Sequence, residues 1–549
     1  MEMSREAIAA REIGRTAINP RSALLVSAVF LLLIFSVPVG QVFLDHRHKT
    51  MLPQLFGQTA KSGSLEPPWS RLISANRAFL HALHNLENHL EETTVLREIF
   101  LPPLQLLLYR YLGQGNEQVI LGREKELFYA PDIDALIGPP FLDPHHLQQR
   151  SIGHEIWEIP VTPDPRPAIL AFRSQLAERG IELLLVPVPS KAAIEPEKLT
   201  GRETDPPLAN RSWADLSSVL AGEGVRIFDG RRVLREYAEE HGGAFLTSDS
   251  HWSPGAMAVF AEALATWIAL EFPDLPSSLP WQRRGQEVGS VGDIGKMLIL
   301  PPGKESIFRQ EVTIQQILTG GEEFWQADPA AEVLLLGDSF TNIYSLAGLG
   351  WGRGAGLAEQ LSYSLATPID LFARNDGGAH ATREMLANEL HRGRDRLAGK
   401  KLVIWQFAER ELQSGDWKPL DLRLGELSSG DFYLAPAGEP VIVDGVVAAI
   451  ARSPRPGSVP YRDNILSLHL VDLSPADGED RQALVYAWGM RDNQLTAVAG
   501  LRPGDRVRFA LQSWETVTNE LAGYRRTSLD DPIVELELPN WGTLLDAAN

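Results

Sequence analysis

The chain has 549 residues, a formal net charge of −20, and 44% hydrophobic and 22% charged residues. These proportions fit a globular protein of roughly two to four domains and exclude a disordered chain, while the lack of cysteine excludes disulfides and thiolate-bound metals. The acidic balance argues against a nucleic-acid partner, since phosphates are held by clustered Lys and Arg, and any anionic substrate would need a local basic groove.

Residues 1–21 carry Arg5, Arg11, Arg15 and Arg21 and precede an uncharged run at 22–44, "SALLVSAVFLLLIFSVPVGQVFL". That run is long enough to cross the ~30 Å of a bilayer core, and the arginines place residues 1–21 in the cytoplasm. Arg47 and Lys49 on the far side reduce the asymmetry. A cleaved signal peptide fits less well, because the run exceeds the usual ~7–15 apolar residues and no A-x-A site follows. The expectation is a single-pass anchor in the inner (cytoplasmic) membrane, with the bulk of the chain in the periplasm or outside. Residues 45–118 read as a linker and packing helices: Leu72, Asn76, Phe79, Leu80, Leu83 and Leu86 fall near helical spacing, and Pro102 and Pro103 are expected to break this region.

Between 119 and 425 buried-looking strands alternate with helical segments. "IELLLVPVPS", "AEVLLLGDSF", "PIDLFARN" and "KLVIWQF" are strands, and "RPAILAFRSQLAERG" is a helix. This alternation predicts an α/β domain with a parallel sheet and helices on both faces. From 438 to 549 the texture becomes strand-like with Pro, Gly, Asp and Asn between the runs, which predicts a small all-β domain, OB-like or a sandwich. Its Trp488, Trp514, Tyr524 and Trp541 look exposed and suit the stacking of sugar rings, with core packing or docking to a membrane partner as the competing roles.

Two segments carry chemistry. In "LTSDSHWSPGAM", Ser253 and Pro254 make a helix start, with Asp249 and His251 in the loop feeding it. In "EVLLLGDSFTNIYS" a buried strand ends in Gly337-Asp338-Ser339, where an α/β sheet gathers its ligand chemistry. A serine on such a turn is exposed and its own N–H can face an oxyanion, but it needs a base, and the base needs an orienting group. His251 and Asp249 supply these, so the predicted triad is Ser339, His251 and Asp249.

These motifs resemble the AlgJ/AlgX-like polysaccharide O-acetyltransferases, whose fold is SGNH hydrolase-like and whose Asp-His pair precedes the serine. "GREKELFYAPD" (Gly122 to Asp132) is similar to the family's early G-x-x-G-W-L-F motif, "LLLVPVPSKAAIEPEKL" to its "VPPK" segment, and "LVIWQFAEREL" to its late "VIWEFPER" segment. Glu126 replaces the family's Trp and Ala408 its Pro, both read as structural drift. The resemblance implies an acetyltransferase acting on an exported polysaccharide through an acetyl-serine, with a membrane-bound O-acyltransferase partner supplying acetyl groups. It also makes Asn375 and Gly378 candidate oxyanion donors. Trp252 is a candidate for stacking on sugar, and Tyr344 and Arg374 for substrate contact. The alternatives are an acetyl-esterase and a non-catalytic polysaccharide-binding or scaffold subunit. No cofactor and no metal are expected: His145-His146 and His46-x-His48 lack further ligands at useful spacing. The glycines of "GWGRGAGLAEQL" follow no strand, so they read as a loop beside the active site, not a dinucleotide fingerprint. Glu409 and Glu411 read as structural, not as a glycosidase pair.

Overall fold

The computed structural model describes residues 20–45 and 95–548 apart from short internal segments, the longest being 153–160, 276–280, 426–431 and 475–481. The helical spacing at 72–86 and the His46-x-His48 pair lie outside the described residues. Helix α1 (Pro20–Asp45) covers the apolar run, and its Leu24, Leu25, Val26, Phe30 and Leu32 are exposed. Among the described residues no helix is long and apolar enough to cross a membrane, so the structure does not support the expected span at 22–44. The break expected at Pro102 and Pro103 is corrected: a helix runs through both, over Val95–Leu107, and loosens into a π turn at Leu108–Leu112. Two missing N–H donors weaken a helix without necessarily ending it.

Residues Gln105–His154 and Glu158–Asn549 form one compact unit, which holds both the α/β sheet and the C-terminal β region. A short antiparallel pair, β1 (Val119–Leu121) and β2 (Leu127–Tyr129), leads in. Helix α2 (Pro165–Ala177), capped by Asp164 accepting from the Arg166 N–H, precedes β3 (Glu182–Val188). Helix α3 (Trp213–Gly222), β4 (Arg226–Ile227) and helix α4 (Pro254–Glu271) follow. A polar hairpin of β5 (Gln282–Ser290) and β6 (Gln310–Leu318) interrupts the alternation. Then come β7 (Val333–Gly337), helix α5 (Leu357–Leu365), β8 (Ile369–Ala373), helix α6 (Ala381–His391) and β9 (Leu402–Ala408).

Five of these strands make one all-parallel sheet in the order β4-β3-β9-β7-β8. Parallel sheets are buried on both faces, which is why β3, β7 and β9 are nearly continuous apolar runs. Successive side chains then feed opposite cores. Leu184, Val186, Leu335 and Ile404 pack with α4 and α5, while Leu183, Leu185, Leu334, Leu336 and Trp405 pack with α2, α3 and α6. Because all strands point one way, the turns after β3, β7, β8 and β9 share one edge.

The C-terminal region comprises β10 (Val441–Ile450), β11 (Asn464–Ser474), β12 (Gln482–Arg491), β13 (Gln494–Leu495), β14 (Arg506–Ser513), β15 (Arg525–Thr527) and β16 (Pro539–Ala548). Pairing runs β10-β11-β12-β16-β14 and returns to β10, so five strands close a barrel and the sandwich alternative is set aside. The aromatics expected to be exposed cover one another. Trp514 and Trp541 are 9% and 7% accessible, and Trp488 and Tyr524 are half-buried against them. They pack on one another on the side of the wall opposite Val485, Phe509 and Leu511, so Trp514 and Trp541 offer no free sugar-stacking face.

Candidate active site

The turn after β7 is tied down before it presents anything. Asp338 caps the short helix Ser339–Asn342 by accepting from the Phe340 N–H at 2.9 Å. Its other contacts reach β9, where Gln406 Nε2 and the Ala408 N–H donate to its carboxylate at 2.8 and 2.6 Å. Gln406 Oε1 in turn accepts from the Asp338 N–H and from Thr341 Oγ1. A side chain at Gly337 would collide with Thr341, so only glycine lets this helix fold back so tightly.

The loop before α4 closes on itself, with Leu246 N–H donating to His251 O and Ser253 N–H to Ala244 O. Ser253 caps α4 by accepting from the Ala256 N–H, and Pro254 follows at the first turn, as the residue types predict. Asp249 Oδ1 accepts from His251 Nδ1 at 2.6 Å, and His251 Nε2 accepts from Ser339 Oγ at 2.8 Å. With Nδ1–H committed to the carboxylate, the lone pair sits on Nε2, facing the serine. Asp249, His251 and Ser339 are all at most 6% accessible.

Two residues without a sequence signal complete this array. Trp351 Nε1–H donates to Asp249 Oδ2 at 2.8 Å, and the Asp293 N–H donates to the same oxygen at 3.0 Å. The Asp293 carboxylate accepts from Ser250 N–H and Ser250 Oγ at 2.8 and 2.5 Å and lies 3.7 Å from His251 Nδ1. Burial pushes the Asp249 carboxyl up, but the His251, Trp351 and Asp293 contacts outweigh it and hold the group below the usual carboxylate range. Burial alone would lower His251; the bonded Asp249 carboxylate reverses this and raises it. Asp293 is pushed up to about 7, by burial first and then by the neighbouring Asp249 charge.

Asp249, His251 and Asp293 offer ligand atoms within 4.8 Å of one another, so they are the described residues best placed to hold a metal ion. Each of their carboxylate oxygens, however, already accepts an N–H or O–H from within the cluster or its backbone. Such a donor set is built for protons. His146 Nε2 contacts Gln413 Nε2, away from this cluster.

A serine, imidazole and carboxylate in this order, on the turn after a central parallel strand, can carry out acyl transfer. Residues 161–409 match the family model described as "SGNH hydrolase-like domain, acetyltransferase AlgX". Residues 161–409 are an AlgX-type SGNH acetyltransferase domain. Relatives named "Probable alginate O-acetylase AlgJ" include one from Pseudomonas aeruginosa, 24% identical over 60% of this chain and 79% of its own length. Another, from Azotobacter vinelandii, is 22% identical over 59% and 78%. Among solved structures, the O-acetyltransferase domain of Pseudomonas putida AlgJ is 20% identical, with a TM-score of 0.40 over 54% of this chain and 92% of that one. Pseudomonas aeruginosa AlgX is 15% identical, also with a TM-score of 0.40, over 71% and 86%.

The AlgX-type domain does not bring every candidate residue to the serine. Trp252 is fully buried against Phe260 and Phe340, and Tyr344 is fully buried with its hydroxyl donating to Trp252 O at 2.7 Å. Both hold the core beneath the histidine; neither faces a sugar. Arg374 donates to Arg526 O of the barrel at 2.7 Å, so it clamps the two parts of the unit together. Burial, then Arg526 and Arg525, lower its pKa. Asn375 is buried beside the short helix Ser339–Asn342, where Asn342 Nδ2 donates to its Oδ1 at 3.0 Å. Gly378 has a φ of +65°, and a side chain there would press on Glu411 Oε2; no hydrogen bond joins it to the triad among the described residues.

The two departures from the family motifs have structural accounts. Glu126 forms an ion pair at 2.6 Å with Lys191, which is 2% accessible. Lys191 Nζ also donates to the carbonyls of Leu127, Leu246 and Thr247 at 2.8–3.0 Å, pinning the loop that carries Asp249 and His251. Ala408 supplies the N–H that Asp338 requires, a donor proline would lack. The early and late motifs meet where Arg410 Nη1 binds Asp132 at 3.0 Å. Glu409 pairs with Arg231 at 2.5 Å and Glu411 accepts from the Ala379 N–H, so both have structural partners.

Replacing Lys191 by Met leaves three carbonyls without their donor and Glu126 paired with Lys198 alone, and should cost about 2–3 kcal/mol. Urea unfolding checks this; a loss below about 1 kcal/mol, the scale of an exposed ion pair, would show that Lys191 is not the anchor of the loop. Asp293 predicts a pH effect. An unfolded aspartate releases its proton near pH 4, whereas the folded one keeps it until about 7, so the native state binds more protons between these values and loses stability as pH rises through them. Asp293→Asn should flatten part of the fall in unfolding free energy between about pH 4 and 7, leaving the share of the other carboxyls that burial raises, Asp132, Glu359, Glu409 and Glu411. Parallel curves for the two proteins would remove Asp293 as its source.

Proposed function

We propose that this protein is a membrane-anchored, extracytoplasmic O-acetyltransferase that moves acetyl groups to hydroxyls of a polysaccharide through a Ser339 acetyl ester. The observation that carries the reading is the buried relay from Asp249 through His251 to Ser339, with steps of 2.6 and 2.8 Å. The names of the AlgJ relatives favour a polysaccharide acceptor, and alginate is the polymer in those names.

In the first half-reaction Ser339 Oγ attacks the acetyl carbonyl while its proton passes to His251 Nε2. The tetrahedral adduct collapses by breaking the bond to the donor's leaving oxygen, which takes that proton. In the second, a sugar hydroxyl gives its proton to His251 and attacks the acetyl-serine; collapse frees Ser339 Oγ, which regains the proton. The Ser339 N–H, at the first position of its helix and outside the i→i−4 pattern, and the Asn375 amide are the oxyanion donors in this reading. Asp249 holds the tautomer and stabilises the imidazolium in both halves. Water in place of the sugar gives an esterase, so exclusion of water decides the outcome.

The anchor belongs to the same reading. Helix α1 carries exposed apolar side chains behind the Arg5 to Arg21 cluster, and holding the chain at the bilayer would keep it beside a membrane-bound O-acyltransferase that supplies acetyl groups. Alkaline washing of membranes from cells making the full chain should leave it in the pellet; release into the wash would remove the anchor and leave the triad chemistry untouched.

The chemical test uses 4-nitrophenyl acetate and intact-mass spectrometry. Wild type should gain one acetyl group and pass it to added oligosaccharide, with a rate that rises with pH through a value above that of free imidazole, because neutral His251 is the active form and its pKa is raised. Ser339→Ala should form no adduct, and Asp249→Asn should be slower by about 10³–10⁴. An adduct that persists in Ser339→Ala would overturn the nucleophile, and loss to water with no transfer to sugar would make the protein an esterase.

A further inference from the structure

Beside the site runs an open cleft of about 450 Å³ whose lining includes Arg284, Gln286, Gln316, Phe324, Gly352 and Arg353. We propose that this cleft is a subsite for a negatively charged sugar unit of the acceptor, with Arg284 and Arg353 reading the charge. The inference rests on the reading that the acceptor is a glycan.

The two guanidiniums are set in place before any ligand arrives. Arg284 donates through Nε and Nη2 to Gln316 Oε1 at 3.1 and 2.9 Å, and Gln316 Nε2 donates to Arg353 O at 3.1 Å. The Phe324 ring lies under both, 4.5 Å from the Arg353 guanidinium carbon and 5.9 Å from that of Arg284. The bonds to Gln316 limit the orientations of the Arg284 fork, and stacking on Phe324 limits those of Arg353, which lowers the entropy lost on binding. Among the described residues neither arginine has a carboxylate within ion-pair distance, although Glu322 and Glu323 lie on the turn before Phe324. Both arginines are exposed, so their charge is open to a ligand in the cleft. In a chain of net charge −20, two adjacent uncompensated guanidiniums form a local basic groove of the kind an anionic polymer needs to approach.

The cleft is joined to the triad by both its walls. One wall is β5, which runs from Arg284 to Ser290, about 20 Å at the usual rise per residue, and then delivers Asp293 to Asp249. The other is the glycine loop, where Gly350, Gly352 and Gly354 have φ values of +89°, +91° and +70° and Trp351, between them, donates to Asp249. A side chain at Gly352 would strike Ile314 Cδ1 at 2.6 Å, so glycine there lets the loop close on the hairpin. A short oligosaccharide held by the arginines at one end would lie along this wall toward Ser339. The bidentate fork suits a carboxylate best, and a sulfate or phosphate ester on a sugar offers the same charge.

The test measures binding to the full chain, in detergent and without acetyl donor, by calorimetry. Probes are a hexamer of galacturonic acid, the same hexamer with its carboxyls reduced, and a sulfated dextran oligomer. Wild type should bind the uronate at least tenfold more tightly than the reduced hexamer, with an affinity that falls as salt rises. Arg284→Ala/Arg353→Ala should lose most of that preference and raise KM for uronate acceptors with little change in kcat. Its acetyl-serine should form from 4-nitrophenyl acetate as in wild type, and Arg284→Lys/Arg353→Lys should recover part of the binding. Equal binding of the sulfated oligomer would mean that the cleft reads charge, and weaker binding that it reads carboxylate geometry; either supports the site. Equal binding of uronate and reduced hexamers by wild type, or unchanged uronate binding by the alanine variant, would overturn it. Failure of Ser339 to form an adduct overturns the transferase reading alone, since binding is read without it.

Discussion

Everything at the site depends on keeping one carboxylate charged where water cannot reach it. Asp249 is 1% accessible, and an ion so buried is tolerated only when hydrogen bonds replace its hydration. Four donors do so: His251 Nδ1–H and the His251 backbone N–H on one oxygen, the Asp293 N–H and Trp351 Nε1–H on the other. Hydrogen bonds to a charged group are each worth about 1.5–3 kcal/mol, enough together to offset several kcal/mol of desolvation. Their sum keeps the carboxyl ionised, and the ionised carboxyl fixes which histidine nitrogen carries the proton.

That requirement explains why distant segments converge. The donors come from the loop before α4, the connection between β5 and β6, and the glycine loop after β7. Each is braced separately. Lys191 holds the first, and Ser248 Oγ, donating to Val291 O at 2.6 Å, holds the second. The third is held by backbone bonds such as the Ala355 N–H donating to Tyr344 O at 3.0 Å. The serine's turn is braced from the opposite side by Asp338 and Gln406. Polar groups held this way need little reorganisation when charge develops beside them.

What was legible in the sequence follows from how local each signal is. The parallel strands announced themselves because burial on both faces leaves uninterrupted apolar runs such as "ELLLVPV" and "LVIWQFA". Ser339, His251 and Asp249, which the structure joins by hydrogen bonds, are legible as candidates because a strand-end turn and a helix start are local patterns and the family resemblance links them. Asp293 and Trp351 were missed because each acts through a contact 44 or 102 residues away in sequence, with no motif around it. The hairpin strand "QRRGQEVGS" was missed because it lacks the apolar alternation that marks a half-buried strand. Trp252 and Tyr344 were misread for the opposite reason: proximity to the motifs suggested contact with substrate, while the fold uses their bulk to fill the core under His251.

The barrel shows how a separate-looking module becomes part of the site's frame. After β14 its chain returns toward the carboxyl edge of the parallel sheet, where Arg526 O accepts from Arg374 and Gly523 O accepts from the Asn375 N–H at 3.5 Å. A side chain at Gly523 would press on Asn342 Nδ2 at 3.2 Å, and Asn342 is the residue that orients the Asn375 amide. The segment after β8 is thus held between the Ser339–Asn342 helix on one side and the barrel on the other. A loop carrying two buried polar residues, one of them an arginine, would otherwise leave those groups without partners. The barrel supplies the carbonyls they need, so the position of Asn375 is a property of both parts of the compact unit and not of the α/β sheet alone.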